Sequence, residues 1–263
     1  MTDTPHAPDA GAATSPEIPT TRRAAVHRRY GGPETIDTET LPIPTPGEGQ
    51  VLVHVKAAAL NPYDWHLVRG LPYVVRAQSG LRAPKQPVVG ADFAGTVVAV
   101  GDGVADVTIG DRIFGGAHGT CSEYIVAKDT SIARTPEGLG FAEAAGLTMA
   151  GCTALQALRD TAKLGSSERV LVNGASGGVG LMAVQIAKAL GAEVTAVCSG
   201  RNHELVRSVG ADHLVDYTTE DFLDTDDRYD VVVDTVMTRS PRAVTSIMAD
   251  GGRYALVGAL EMG

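Results

Sequence analysis

At 263 residues with 44% apolar side chains, the chain is long enough to bury a sizeable core and to form two domains. Its formal charge of −9 argues against general affinity for nucleic acid or anionic membranes. The three cysteines, Cys121, Cys152 and Cys198, are widely separated, include no C-x-x-C pair and offer no disulfide framework.

In chain order, residues 1–22 are rich in Pro, Ala and Thr and carry no aromatic side chain, so a disordered tail is expected there. The opening residues have neither the pattern of a secretory signal nor that of a mitochondrial presequence. No apolar run approaches a membrane span, and a cytoplasmic protein is expected. Gln50–Ala57 alternates as a half-buried strand with Val51, Val53, Val55 and Ala57 on one face. Phe93–Val100 and Arg112–Phe114 read as further strands, set apart by Gly101-Asp102-Gly103 and Gly110-Asp111. Short strands, glycine turns and little helix imply an antiparallel, barrel-like domain over residues 23–150. A helix at Phe141–Ala145 and the segment Met149–Asp160 lead to a second domain, residues 151–263.

That domain opens with a buried strand (Val170, Leu171, Val172), a glycine turn, and a helix carrying Val179, Met182, Ala183, Ile186, Ala187 and Leu190 on one face. The turn reads Ala175-x-Gly177-x-x-Gly180, a dinucleotide fingerprint with alanine for its first glycine, in the strand-to-helix context that confirms it. Gly177 and Gly178 are expected to supply positive φ and close approach to a ligand. Gly180 is expected to let the helix pack on the strand. The first helical N–H groups have no partner within the helix and suit a pyrophosphate.

The next strand, Val194–Cys198, ends at Ser199-Gly200-Arg201-Asn202. Folds that prefer NAD place an acidic residue about 20 positions beyond the glycines to bond the ribose 2′-hydroxyl. Serine and arginine here can donate to a 2′-phosphate, Arg201 through a bidentate fork, which favours NADP(H) over NAD(H). The plainer reading of Arg201 is a solvated charge capping the following helix. A helix at Asn202–Val209 and a strand at His213–Tyr217 follow, then a polar stretch with a short helix at Asp221–Asp227. Next come a strand at Tyr229–Val233 ending at Asp234, a helix at Ser240–Met248 closed by Asp250-Gly251-Gly252, and a strand at Arg253–Val257. This alternation implies a parallel, doubly wound sheet covered on both faces. Asp216 and Asp234 stand at strand ends, where ligands bind in such sheets, and each is either a ligand contact or a turn cap.

Taken together, Gly47-Glu48-Gly49-Gln50-Val51-Leu52-Val53, Asn61-Pro62-Tyr63-Asp64-Trp65, Val89–Gly95, Gly110-Asp111-Arg112, Ala145-Gly146-Leu147 and Gly174–Gly180 resemble the medium-chain dehydrogenase/reductases. The likeness is to the zinc-independent quinone oxidoreductase branch, which includes many proteins loosely called NAD(P)-dependent alcohol dehydrogenases. It runs from about Arg23 to Gly258. The resemblance implies a GroES-like domain followed by a Rossmann domain, with the active site between them. It further implies NADPH-dependent hydride transfer to a quinone, an enone, or an aldehyde or ketone. The cofactor-binding set is then Thr153, Ala175, Ser176, Gly177, Gly178, Val179, Gly180, Ser199, Arg201, Asn202, Tyr217 and Asp234. Zinc-dependent members place catalytic ligands where this chain has Asn61, Ala91 and Met149, which make no zinc site, so no metal is expected.

Polarisation of a substrate carbonyl then falls to hydrogen-bond donors. Tyr63 is the candidate proton donor, or else a pocket wall. Asn61 is the candidate for orienting the carbonyl. Asp64 completes the candidate catalytic set, with capping of the following turn as its other reading. His66 falls where zinc-dependent relatives keep a proton-relay histidine. Val68–Lys85 holds Arg69, Tyr73, Arg76, Arg82 and Lys85 without a carboxylate. It is the expected substrate-side loop, read either as recognition of an acidic group or as a solvated excursion.

The sequence stops at Gly263, soon after the fifth Rossmann strand, where relatives continue with a sixth strand and a return segment. The expectation is a nucleotide domain lacking its C-terminal end, either as a truncated form or as a genuine five-strand domain, with poor turnover. Tyr254–Val257 would form an open apolar edge able to pair with a second copy. A second class therefore stays open: a nucleotide-binding remnant or redox-sensing partner without turnover.

Overall fold

The computed structural model describes residues 18–258. Most of the tail expected over residues 1–22 lies outside them, but Thr21 and Arg22 already belong to the first strand. β1 (Thr21–His27) and β2 (Ile36–Pro42) pair as an antiparallel ribbon. After β3 (Gln50–Ala59) come two helices, α1 (Pro62–Arg69) and α2 (Val75–Ser79). β4 (Asp92–Val100), β5 (Arg112–Gly116), β6 (Tyr124–Lys128) and β7 (Ile132–Arg134) complete an antiparallel sheet of order β6-β3-β4-β5-β7. Its core gathers Val51, Val53, Phe93, Val97, Ile113 and Ile125. Leu52 is buried as well, so β3 is covered on both faces near its start, which simple alternation does not show.

α3 (Phe141–Ala145) and α4 (Thr148–Leu155) carry the chain across to the second sheet, and α4 widens into a π-type segment at Gln156–Thr161. The division expected near Ala150 falls inside α4. The rest alternates: β8 (Arg169–Asn173), α5 (Gly178–Ala189), β9 (Glu193–Cys198), α6 (His203–Ser208), β10 (His213–Asp216), β11 (Tyr229–Asp234), α7 (Pro241–Val244) and β12 (Met248–Leu256). The five strands are parallel, in the order β10-β9-β8-β11-β12. Among the described residues β12, with Tyr254 to Leu256, is an edge. One face packs Val170, Val172, Val231 and Val233 against Ala183, Val184 and Ala187 of α5. The other packs Leu171 and Val232 against Phe222, Tyr229, Val244 and Ile247. Burial on both faces is why these strands are unbroken apolar runs. Strand order reverses at β8, and the crevice beyond the strand ends there is where such sheets bind ligands.

Three local expectations are corrected. Asp221–Asp227 forms turns, because Asp221 and Thr225 side chains accept from the Leu223 and Asp227 N–H groups and so compete with helix. The helix starting behind the Ser240 cap ends at Val244 and tightens into a single 3-10 turn, Thr245–Ile247. Asp250-Gly251-Gly252 lies inside β12, at a register shift against β11, with Gly251 at φ +75°.

Candidate functional site

The turn between β8 and α5 is shaped by Gly174, which sits at φ +81°, a left-handed conformation that favours glycine. Gly177 caps α5 from an extended conformation at φ −78°, and Gly178 is not at positive φ either. The positive φ expected at Gly177 and Gly178 therefore belongs to Gly174. Gly180 packs as expected: a Cβ there would press on the Gly174 oxygen and lie 2.7 Å from the Ala175 Cα. Ala175 is fully buried beneath the turn. No side chain caps α5, so the N–H groups of Gly178, Val179 and Gly180 lie at an open helix start. The helix dipole adds partial positive charge at that point.

Asn202 ties this turn to the end of β9. Its Nδ2 donates to Ser176 Oγ at 3.0 Å and to Ser199 Oγ at 3.2 Å. Three expected cofactor residues thus meet in one cluster. Arg201 is exposed on the adjacent turn, and its side chain has no hydrogen-bond or ion-pair partner among the described residues. Asp216 accepts from the Thr218 N–H at 2.9 Å and the Thr218 hydroxyl at 2.7 Å. Those bonds hold its carboxyl below the usual range. Tyr217 is 60% exposed and lines a cleft of 440 Å³ with Gly174, Ser176, Gly177, Cys198 and Thr235.

Asp234 is fully buried at the end of β11. It accepts from Asn173 Nδ2 at 2.9 Å, the Val236 and Met237 N–H groups at 3.0 and 2.8 Å, and the Tyr254 hydroxyl at 2.9 Å. These are the contacts of a cap joining β8, β11 and β12, not of a ligand contact. Burial, with the Asp234 hydrogen bond and charge behind it, pushes the Tyr254 phenol well up, so it stays a donor.

A second cleft, of 620 Å³, lies between the antiparallel sheet and α4 and is lined by Tyr63, Ala91, Asp92, His118, Met149 and Thr153. Tyr63 and Thr153, from opposite sides of the chain, therefore face one space. Tyr63 is 42% exposed and its hydroxyl has no partner among the described residues. Asn61 and Asp64 are not on this wall. Asn61 Nδ2 donates to Asp92 Oδ2 at 3.1 Å, and the Met149 N–H donates to the same oxygen at 2.9 Å. Asp92 thus pins the segment carrying Tyr63 to α4, and α4 rests on α5, where a Cβ on Gly178 would lie 3.8 Å from Ala150 Cβ.

Asp64 accepts from the Asn61 N–H at 2.7 Å, capping α1, while its other oxygen is buried without a partner. Burial pushes the Asp64 carboxyl up, and the neighbouring Asp92 charge adds to this. Burial also pushes Asp92 up, against the hydrogen bonds from Met149 and Asn61. His66 pairs through Nδ1 with the Leu71 oxygen at 2.7 Å and stacks on Trp65, so it leads no relay into the cleft. Arg69 lies 5.0 Å above the Trp65 ring. Arg76 lies between Tyr30 and Tyr73 at 4.4 and 4.9 Å. Two cations of the expected substrate-side loop are therefore held by aromatic rings. Sequence reasoning passed over Asp92 and Asn173. The available signal was a single polar residue at the boundary of an apolar strand, in Asp92-Phe93-Ala94 and in Val170–Asn173.

Residues 47–164 match the family model described as alcohol dehydrogenase GroES-like domain, and residues 178–263 that described as zinc-binding dehydrogenase. The quinone oxidoreductase from Coxiella burnetii superposes with a TM-score of 0.75 at 30% identity, over 92% of this chain and 83% of that one. The chain belongs to the medium-chain dehydrogenase/reductase superfamily, in its quinone oxidoreductase-like branch. Two curated relatives come from Arabidopsis thaliana. The chloroplast envelope quinone oxidoreductase homolog is 41% identical over 203 residues, covering 72% of this chain and 59% of that protein. The chloroplastic NADPH-dependent alkenal/one oxidoreductase is 36% identical over 259 residues, covering 92% of this chain and 64% of that protein. The chain thus spans about three-fifths of their length.

The second family model's description raises zinc, and the residues of this medium-chain dehydrogenase/reductase do not fit it. Asn61 gives its amide to Asp92, Ala91 offers no donor atom, and Met149 offers only a thioether. Among the described residues no group of three or more His, Cys, Asp or Glu is arranged to hold a metal ion.

Proposed function

We propose that this chain is a zinc-independent, NADPH-dependent oxidoreductase that delivers hydride to an enone, a quinone, or an aldehyde or ketone. The observation that carries the reading is one packed path: the open start of α5 rests against α4, and α4 forms a wall of the cleft that holds Tyr63. The relatives' names support it. Residues 23–150 form the catalytic unit in this proposal and residues 151–263 the nucleotide unit.

The glycine turn fits a pyrophosphate, since the close approach at Gly180 and the uncapped helix start leave backbone donors free. Ser176 to Gly180 would hold it, with Ser199, Arg201 and Asn202 around the adenosine side and Thr153 on the cleft side. When bound, the nicotinamide supplies the hydride. Tyr63 gives its hydroxyl proton to the substrate oxygen as charge develops there. Asn61 and Asp64 are positioning residues: they fix the start of α1, and Asp92 carries that placement to α4. A cytoplasmic location is proposed with this function; no described helix is long and apolar enough to cross a membrane.

Oxidation of NADPH against a panel of quinones, enones and aldehydes tests the reading. Turnover with at least one class is expected, and NADPH binding without any turnover would return the chain to a nucleotide-binding remnant. Titration should show NADPH bound more tightly than NADH, with Arg201→Ala removing about fivefold (~1 kcal/mol) of that preference, a modest figure because the side chain is exposed and screened. Equal affinities for the two cofactors in the native chain would sink the NADP assignment.

A further inference from the structure

Beside the cleft lies a chamber of 540 Å³ that shares Tyr63 and His118 with it. Both spaces therefore touch one phenol. The chamber's middle is apolar, from Leu67, Val74, Val75 and Pro84. Its polar lining includes Lys85, Gln78, Gln86, Ser79 and His118, all able to donate, and no Asp or Glu lines it. His27 is 3% exposed and its Nδ1 is buried without a partner. Burial pushes the His27 imidazole down, so this ring adds no cation to the chamber wall. Lys85 is exposed and its ammonium has no carboxylate partner among the described residues. Arg69 and Arg76 are held on aromatic rings, so Lys85 is the cation this loop turns toward the chamber.

We propose that the chamber is a substrate subsite that takes an aliphatic tail ending in a carboxylate. The inference rests on the oxidoreductase reading and names its substrate class: an enone or aldehyde whose reacting carbon lies in the Tyr63 cleft and whose far end is a monoanion. One ammonium, with the side-chain amides of Gln78 and Gln86 beside it in the lining, matches a single negative charge. The apolar side chains that line the same chamber, Leu67, Val74, Val75 and Pro84, match methylene groups rather than a polar linker.

The test is calorimetric titration of a medium-chain ω-carboxy enone and its methyl ester, with and without NADP⁺. The acid is expected to bind about tenfold more tightly, and that preference should shrink as salt rises. Lys85→Glu, an exchange on an exposed side chain, should abolish or reverse it. Val75→Trp, which fills the chamber, should weaken both tailed ligands relative to a tail-less enone. Equal binding of acid and ester by the native chain, or a preference that survives Lys85→Glu, overturns the subsite. Acid-selective binding without NADPH oxidation supports the subsite and removes the oxidoreductase reading. Oxidation of acid and ester at equal kcat/KM, with equal binding, removes the subsite and leaves that reading standing.

Discussion

The glycine turn and the Tyr63 cleft hold their polar chemistry in opposite ways. At the turn the donors nearest the helix start are backbone N–H groups, and the side chains around them, Arg201 apart, are tied: Asn202 to two serines, Asp216 to Thr218, Asp234 to four donors. Around the cleft the backbone is tied into β3, β4 and β5, and the free chemistry is on a side chain, the Tyr63 hydroxyl. A site built from backbone changes only if the chain moves. A site built from side chains changes with one substitution. The first arrangement suits a ligand common to many enzymes, the second a substrate that differs between them.

Each side of this contrast can be broken. The largest effect is expected from Asp234→Ala, which strips one buried and three part-buried donors of their acceptor and should cost about 3–5 kcal/mol in denaturant unfolding. A loss below about 1 kcal/mol would mean the strand ends do not depend on it. Tyr63→Phe should leave stability unchanged and lower kcat about 100-fold with little change in KM. Native kcat in that variant would make Tyr63 a wall. Gly180→Ala pushes a methyl group into the Gly174 and Ala175 backbone and should cost about 2 kcal/mol, with weaker dinucleotide binding. Unaltered affinity would show that the turn can shift without harm.

The smallest effect concerns pH. Burial raises the folded Asp64 carboxyl above its ordinary 3.8, so the folded chain holds that proton more tightly than the unfolded chain. The stability this contributes is complete below pH 3.8 and is lost as pH rises through the raised value. Asn cannot ionise, so unfolding free energies of native chain and Asp64→Asn should diverge in the variant's favour as pH rises through that window. A difference that stays constant with pH would place Asp64 in a more solvated setting than its burial indicates.

The parallel sheet was legible because β8, β9 and β11 are continuous apolar runs, a pattern set by burial on both faces. The tight packing at Gly180 was legible for a similar reason, since helix-on-strand contact is local in sequence. Gly174 was not, because its space is closed by Thr235 and Val236 from the far end of β11. β1, β2, β6 and β7 escaped notice because all four are edges of their sheets and none is a continuous buried run. In the candidate site, Asn202 and Ser199 could be named from their place after β9. Asp92 could not, since its meaning comes from Asn61 and Met149, which only the fold brings to it. Arg76 was half hidden for the same reason: one of its two rings, Tyr30, is distant in sequence, while Tyr73 is three residues away.

The amide of Asn202 fixes the electrical sense of the turn it supports. Both of its protons go to hydroxyl oxygens, those of Ser176 and Ser199. A serine that accepts there still has its own proton to give, so both hydroxyls can face the turn as donors. Asp in that place would have nearly the same shape and the opposite effect, drawing the serine protons toward itself and leaving lone pairs outward. A loop that attracts phosphate would then repel it. The cradle's preference for anions depends on which atom, nitrogen or oxygen, stands behind two serines.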